Sequence, residues 1–248
     1  MISALAITYN EESNIESYIE SLSFADEIVI VDSFSADNTV ALAKKHTVTV
    51  VQRPFDNFSN QKNHAISLAK NDWIVFFDLD EKISDALANE IVSKVNSKNP
   101  LKAYKVKRNF IFMGKRLKYS GFQTDEVIRL FHKDYCKYNG NAVHETIETS
   151  EKTGLLKNTS DHDTYKGFDA YNQKLSQYSK LQARQLFQKD LRPNLYHFLF
   201  RPWYRFMHQY FLRLGILDGK EGFILAYINA FSVFKRYMQL WLMYRKIN

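Results

Sequence analysis

Apolar and polar positions alternate along this chain with two different periods, and the change of period divides it. In the first hundred residues, runs rich in Ile, Val and Phe at Ser3 to Ile7, Glu27 to Asp32, Thr47 to Val51 and Trp73 to Asp78 predict strands. Helical patterns fall between them at Glu12 to Leu22, Asp37 to His46 and Ser59 to Ala69, and Ser84 to Asn96 follows the fourth strand. Each strand ends in polar residues just before a helix begins. Such alternation predicts an α/β, doubly wound, mostly parallel sheet, whose ligands collect beyond the carboxyl ends of the strands. Thr8-Tyr9-Asn10-Glu11, Asp32-Ser33 and Asp78-Leu79-Asp80 therefore mark the functional face. From Lys102 to His132 the pattern shifts to alternating strands, Ala103 to Phe110 and Glu126 to His132, which predict an antiparallel addition that receives a second substrate.

From Phe168 the period is helical. Phe168, Tyr171, Leu175, Tyr178, Leu181 and Leu186 form a stripe expected to pack on the domain. After Pro193 the chain is dense in aromatics from Leu195 to Leu217, turns at Asp218-Gly219 and Gly222, and continues as Phe223 to Tyr244. Lys235-Arg236 interrupts this last run well before the roughly 20 apolar residues a membrane-spanning helix needs. The expected organisation is a catalytic domain over 1–165 and a helical, basic, aromatic-rich region over 166–248.

Charge sharpens that division. The net charge is +7; residues 192–248 hold nine Lys/Arg against two Asp/Glu, so all of the excess lies there. The same segment holds 15 of the 37 aromatic residues. Basic groups mixed with aromatic rings describe helices lying in an anionic membrane interface, the alternative being a helical subdomain that packs on the catalytic domain or on a second copy. Because the positive charge accompanies long apolar runs and not a lysine-rich groove, no nucleic-acid partner is expected.

Other classes are excluded more simply. The single cysteine, Cys136, has no second thiol for a disulfide or a metal pair, which fits a reducing compartment. Met1 to Thr8 is a short apolar run without a preceding basic residue, read as a strand and not as a signal peptide, so a cytoplasmic address is expected. Neither G-x-G-x-x-G nor G-x-x-x-x-G-K-[ST] stands at any strand end, which leaves side chains and a metal to hold a nucleotide.

The sharpest chemical signal is the apolar strand that runs into Asp78, Asp80 and Glu81. Continued strand geometry would put Asp78 and Asp80 on one side, where two carboxylates repel unless Mg²⁺ or Mn²⁺ bridges them to a more negative group such as a diphosphate. The alternative is an acidic turn before a helix capped by Ser84 and Asp85.

Ala6-Ile7-Thr8-Tyr9-Asn10-Glu11-Glu12, Val31 to Thr39, Gln61-Lys62-Asn63-His64-Ala65 and Phe77-Asp78-Leu79-Asp80-Glu81 resemble, in order and spacing, the GT-A glycosyltransferases of family 2. Val127 to Phe131, Val143-His144-Glu145 and Phe211 to Phe223 are similar to the subgroup that includes bacterial lipopolysaccharide inner-core β-1,4-glucosyltransferases. The resemblance implies a GT-A, nucleotide-diphospho-sugar transferase (Rossmann-like) domain with a C-terminal helical membrane-associating region. It further implies inverting, metal-dependent transfer of a hexose, with glucose expected, from a UDP-sugar to a lipid-linked saccharide at the cytoplasmic face of the inner membrane. On it, Thr8, Tyr9, Glu11 and Asp32 hold the uracil end and Lys62 meets the nucleotide or its phosphates, the alternatives being a helix-start signal at Asp32 with Ser33 and Ser35 and an exposed helix lysine at Lys62. Asp80 is the direct ligand of Mg²⁺ or Mn²⁺, and Asp78 faces the ribose or the metal and its water. His162 is a further candidate ligand, although a loop histidine flanked by acids also reads as a salt-bridged surface group. Glu145 is the expected base for the acceptor hydroxyl and Asp125 the second candidate; either could instead be a strand-flanking acid paired with Arg129. Arg129 and Arg108 are candidates for an anionic acceptor. A haloacid-dehalogenase-like phosphatase would place Asp78-Leu79-Asp80 on the first strand and not the fourth. A non-enzymatic membrane scaffold built on the same fold is the remaining alternative.

Overall fold

The computed structural model describes residues 1–141, 145–163 and 167–247, and the chain divides into two compact units. The first comprises Met1–Arg108 and Glu126–His162, and the second Asn109–Asp125 and Asp163–Asn248.

In the first unit, β1 (Ile2–Thr8), β2 (Glu27–Asp32), β3 (Thr49–Gln52) and β4 (Trp73–Phe76) pair in parallel in the order β3-β2-β1-β4. Against β4 the sheet turns antiparallel through β8 (Glu126–His132) and β6 (Ala103–Phe112), and it continues to β11 (Thr153–Asp163) and the two-residue β5 (Glu81–Lys82). Successive residues of β1 serve opposite faces, as the pleat requires. Ala4 and Ala6 pack with Ile15, Tyr18 and Ile19 of α1 (Ile15–Ser21) and with Leu87 and Ile91 of α4 (Asp85–Val95). Leu5 packs on the other side with Val29, Val31 and Ala65 of α3 (Phe58–Leu68), where Cys136 is also buried. Ser84 caps α4 by accepting the Leu87 N–H at 3.3 Å.

Two features differ from the sequence expectation in ways that bear on function. β4 stops at Phe76, so Asp78 to Glu81 form a turn closed by the Glu81 N–H on the Asp78 carbonyl (2.9 Å), and the period-two argument does not govern the acids. His162, expected in a loop, lies on β11 in register with Glu81 of β5. Beyond Leu155 and Leu156 that strand is polar and carries no alternating apolar signal, which is why periodicity does not reveal it.

The second unit is built on α5 (Phe168–Gln188), α6 (Leu195–Met207) and α7 (Lys220–Arg245). The end of β6 and β7 (Lys115–Leu117) belong with them, because Phe110, Phe112 and Leu117 form one cluster with Leu225 and Ile228 of α7. The inner face of α5 runs through Tyr171, Leu175, Ser179, Ala183 and Leu186, and Ser179 Oγ donates to the Ser232 carbonyl at 2.9 Å. Small residues let α5 approach α7 closely, whereas Phe168, Tyr178 and Leu181 of the expected stripe are exposed. Among the described residues no helix is long and apolar enough to cross a membrane.

Candidate active site

The parallel register sets Thr8 beside Asp32, and Asp32 beside Gln52, at adjoining strand ends. Asp32 is fully buried; one of its oxygens accepts the Ser35 N–H (3.0 Å) and Gln52 Nε2 (3.0 Å), and the other the Ser35 hydroxyl. The turns after β1 and β2 are fastened together: the Asn10 N–H donates to Ser35 Oγ (2.9 Å), the Ala36 N–H to Asn10 Oδ1 (2.8 Å) and the Glu11 N–H to Thr39 Oγ1 (2.8 Å). Glu11 itself accepts from Asn14 Nδ2 at 2.7 Å. Asn10 and Phe34 take left-handed backbone angles, φ +54° and +59°, and Tyr9 and Phe34 are both exposed. Thr8 Oγ1 is buried with no hydrogen-bond partner, a polar group aimed at nothing in the protein. A planar base with donors and acceptors suits this polar floor beside exposed rings.

Around the turn after β4, three cations and three acids form a network. Lys62 of α3 donates to Asp78 Oδ1 (3.2 Å) and Glu145 Oε1 (3.0 Å). Arg129 of β8 donates to Asp78 Oδ2 (2.6 Å) and Glu81 Oε1 (2.6 Å), and Arg108 of β6 reaches Glu81 at 3.3 Å. Burial alone would lower the Lys62 pKa, but the Asp78 carboxylate, with Tyr138 and Glu145, holds it above the ordinary lysine value. Burial would likewise raise Asp78, yet Arg129 and then Lys62 hold its carboxyl well below the usual range. Against its own burial, Arg129 is raised by Asp78 and Glu81. The Tyr138 ring lies 5.2 Å from Lys62 Nζ, and burial pushes its phenol up to about 12. Tyr18 braces the strand end, its hydroxyl donating to the Phe77 carbonyl at 2.8 Å.

Asp80 stands apart from this network. It pairs with His162 Nε2 at 3.4 Å, and among the described residues no lysine or arginine reaches it. The network uses its own cations to balance Asp78, Glu81 and Glu145, while Asp80 and His162 present an oxygen and a nitrogen donor side by side. No group of three His, Cys, Asp or Glu side chains able to hold a metal occurs among the described residues. One carboxylate and one imidazole nevertheless fit Mg²⁺ or Mn²⁺, which keep several waters and take their remaining ligands from substrate phosphates.

The structure thus brings Lys62, Asp78 and Glu145 together, sets Asp80 with His162, and gathers Thr8, Tyr9, Glu11 and Asp32 at the first two strand ends. Asp125 belongs to the second unit, its N–H bonded to the Phe122 carbonyl. Val143 and His144 lie outside the described residues. Arg129, expected to meet an acceptor or one of the candidate bases, instead holds Asp78 and Glu81. Its signal was available: a lone arginine inside the apolar Val127 to Phe131 run must find buried acids. Nothing in the sequence singled out Tyr18 or Tyr138.

Comparison with known proteins identifies the family. An uncharacterised glycosyltransferase of Rickettsia typhi is 27% identical over 96% of this chain and 86% of its own length. The lipopolysaccharide core biosynthesis glycosyltransferase LpsC of Rhizobium meliloti is 26% identical over 95% of this chain and 93% of its own. The crystal structure of S. aureus TarS 1-349 in complex with UDP-GlcNAc superposes with a TM-score of 0.51 at 14% identity, covering 99% of this chain and 92% of TarS, a likeness of fold of the mixed α/β GT-A type. Residues 3–147 match the sequence model described as Glycosyl transferase family 2, and the chain therefore belongs to that family of glycosyltransferases.

Proposed function

We propose that this glycosyltransferase transfers a hexose, glucose in the first instance, from a UDP-sugar to a lipid-linked saccharide of the lipopolysaccharide-core kind, with inversion at the anomeric carbon and with the help of Mg²⁺ or Mn²⁺. The observation that carries the reading is the separation of the acids: Asp78 and Glu145 share Lys62, while Asp80 pairs, among the described residues, with a histidine. Similarity to an enzyme named for lipopolysaccharide core biosynthesis supports the acceptor class.

In this reading Thr8, Tyr9, Glu11 and Asp32 form the end of the site that receives the uracil and ribose. Asp80 and His162 would hold the divalent ion, with Asp78 facing the ribose or a metal-bound water. Bound there, the ion supplies one thing: it offsets the charge gathering on the departing UDP. Lys62, locked between Asp78 and Glu145, fixes the spacing between the donor end of the site and the base. Glu145 takes the proton from the acceptor hydroxyl as that oxygen attacks, with Asp125 the second candidate.

The acceptor is met at the cytoplasmic face of the inner membrane, where the enzyme is peripheral. Leu195, Leu199, Phe200 and Trp203 of α6 are each more than half exposed, on a helix with no buried residue, and the same segment carries the basic excess. A face of this kind lies in the headgroup region of an anionic bilayer. The test is a panel of UDP-sugars assayed for Mn²⁺-dependent UDP release and for thermal stabilisation. One UDP-hexose is expected to dominate both readouts, and an absence of any UDP-sugar response would overturn the donor assignment.

A further inference from the structure

The second unit contains a cavity of about 530 Å³, lined by side chains of α5, α6 and α7. Arg201, Arg205 and His208 project into it at i, i+4 and i+7, one face of α6 running into the π-helical turn His208–Leu212, and Arg236 enters from α7. Among the described residues no aspartate or glutamate lines it, and the other polar lining groups include Gln182, Ser179 and Asn229. Three guanidiniums in one cleft repel one another, and low-dielectric walls concentrate their field.

What the protein provides in return is slight. Arg201 Nε donates to the neutral Tyr237 hydroxyl at 3.2 Å. Arg236 Nε is buried with no hydrogen-bond partner. Burial, followed by the Arg201 and Arg205 charges, presses the Arg236 pKa below the ordinary arginine value, and burial does the same to Arg205. A cavity made only to fill space would be served better by apolar side chains, and one made to hold arginines in place would include acids. Guanidinium forks match phosphate oxygens two at a time, and the volume lies in the range of sites that hold small organic ligands.

We propose that this cavity is a binding site for a phosphate ester, separate from the nucleotide-sugar end of the enzyme and contained wholly within the helical unit. Arg201, Arg205 and Arg236 hold the phosphoryl oxygens, and Gln182 and Asn229 are placed to meet the hydroxyls of the group that carries it. The inference does not depend on which sugar is transferred or on the assignment of the base. A soluble ester and the headgroup of an anionic lipid present the same chemistry to these side chains.

The test uses the full chain without donor sugar. Thermal melting and calorimetric titration with glycerol 3-phosphate represent the soluble source, and flotation on phosphatidylcholine vesicles with and without phosphatidic acid the lipid source. Arg205→Gln and Arg236→Gln are each expected to weaken binding of the responding probe by about tenfold or more, the loss of one charge-assisted hydrogen-bonding group. Gln182→Glu, which supplies the missing carboxylate, is expected to raise the melting temperature of the free protein and to abolish the response to the probe. That gain distinguishes an anion site from simple misfolding. Arginine-dependent binding of glycerol 3-phosphate identifies a soluble ester, and arginine-dependent preference for phosphatidic acid a lipid. The proposal is overturned if neither probe binds, if binding survives both arginine substitutions, or if Gln182→Glu leaves the free protein no more stable.

Discussion

Lys62 is the residue on which the site turns, since its ammonium is nearly buried and joins two carboxylates that come from distant parts of the chain. Asp78 and Glu145 could not stand this near each other without it or an equivalent cation. In the proposed mechanism the position of Glu145 serves the acceptor hydroxyl. Glu145→Gln keeps the shape and an acceptor for Lys62 but cannot take a proton, so kcat is expected to fall by about 10²- to 10⁴-fold while the affinity for UDP stays close to wild type. Near-normal transfer would move the base to Asp125. Arg129 has a different role, compensating Glu81, whose side chain is wholly buried. Arg129→Met leaves that charge with Arg108 alone at 3.3 Å, and urea unfolding should show a loss of about 3–5 kcal/mol. A loss below about 1 kcal/mol would mean that the buried acids are neutral or otherwise paired.

Elements explain what single residues do not. The turn between α6 and α7 carries the Phe211 to Phe223 motif, and the first of its two acids is structural: Asp218 is buried and accepts the N–H groups of Lys118 (2.9 Å) and Tyr119 (3.1 Å) and the Ser120 hydroxyl (2.7 Å). Two of the three glycines of that motif, Gly215 and Gly222, permit a close crossing. A Cβ on Gly222 would lie 2.0 Å from the Gly215 carbonyl oxygen, and one on Gly215 would lie 2.8 Å from the Gln209 carbonyl. Gly222→Ala must push the short helical turn Gly215–Asp218 away from α7, at an expected cost of about 1–3 kcal/mol or more in unfolding free energy. An unchanged stability would mean that the crossing is loose. The same scale shows what the sequence could reveal. β1 to β4 and the helices between them were legible because each buries a dense apolar face. β11 was not, because it is an almost wholly polar strand whose pairing with β5 is tertiary. The inner face of α5 was half legible: Tyr171, Leu175 and Leu186 are apolar, but Ser179 and Ala183 pack by being small. The acids after β4 were found by composition, although the strand ends too early for alternation to orient them; Lys62 and Arg129 orient Asp78 instead.

At the scale of the whole molecule, charge and apolar exposure are segregated by sequence. Residues 1–191 hold 25 basic and 25 acidic residues, and the remaining segment carries the entire net +7 together with the exposed face of α6. A truncation would be a poor probe of that face, because α7 contributes Leu225, Val233, Tyr237 and Leu240 to the core of its unit. Phe200→Ser with Trp203→Ser removes exposed rings only. The pair is expected to lower binding to phosphatidylcholine–phosphatidylglycerol vesicles by about tenfold or more, each buried aromatic being worth about 2 kcal/mol. The melting temperature should not change. Undiminished binding would assign the face to a second copy or to another protein.

The central claim is that Asp80, aided by His162 and separate from the charge-balanced Asp78 network, holds a divalent ion against the diphosphate of a UDP-sugar. The most direct test is UDP release from the preferred UDP-hexose across a Mn²⁺ titration, for wild type and Asp80→Asn. A fall in kcat of about 10²-fold or more is expected, with Mn²⁺ activation lost and the fold unchanged by circular dichroism. Turnover by Asp80→Asn at the wild-type rate and with the wild-type Mn²⁺ dependence would contradict it.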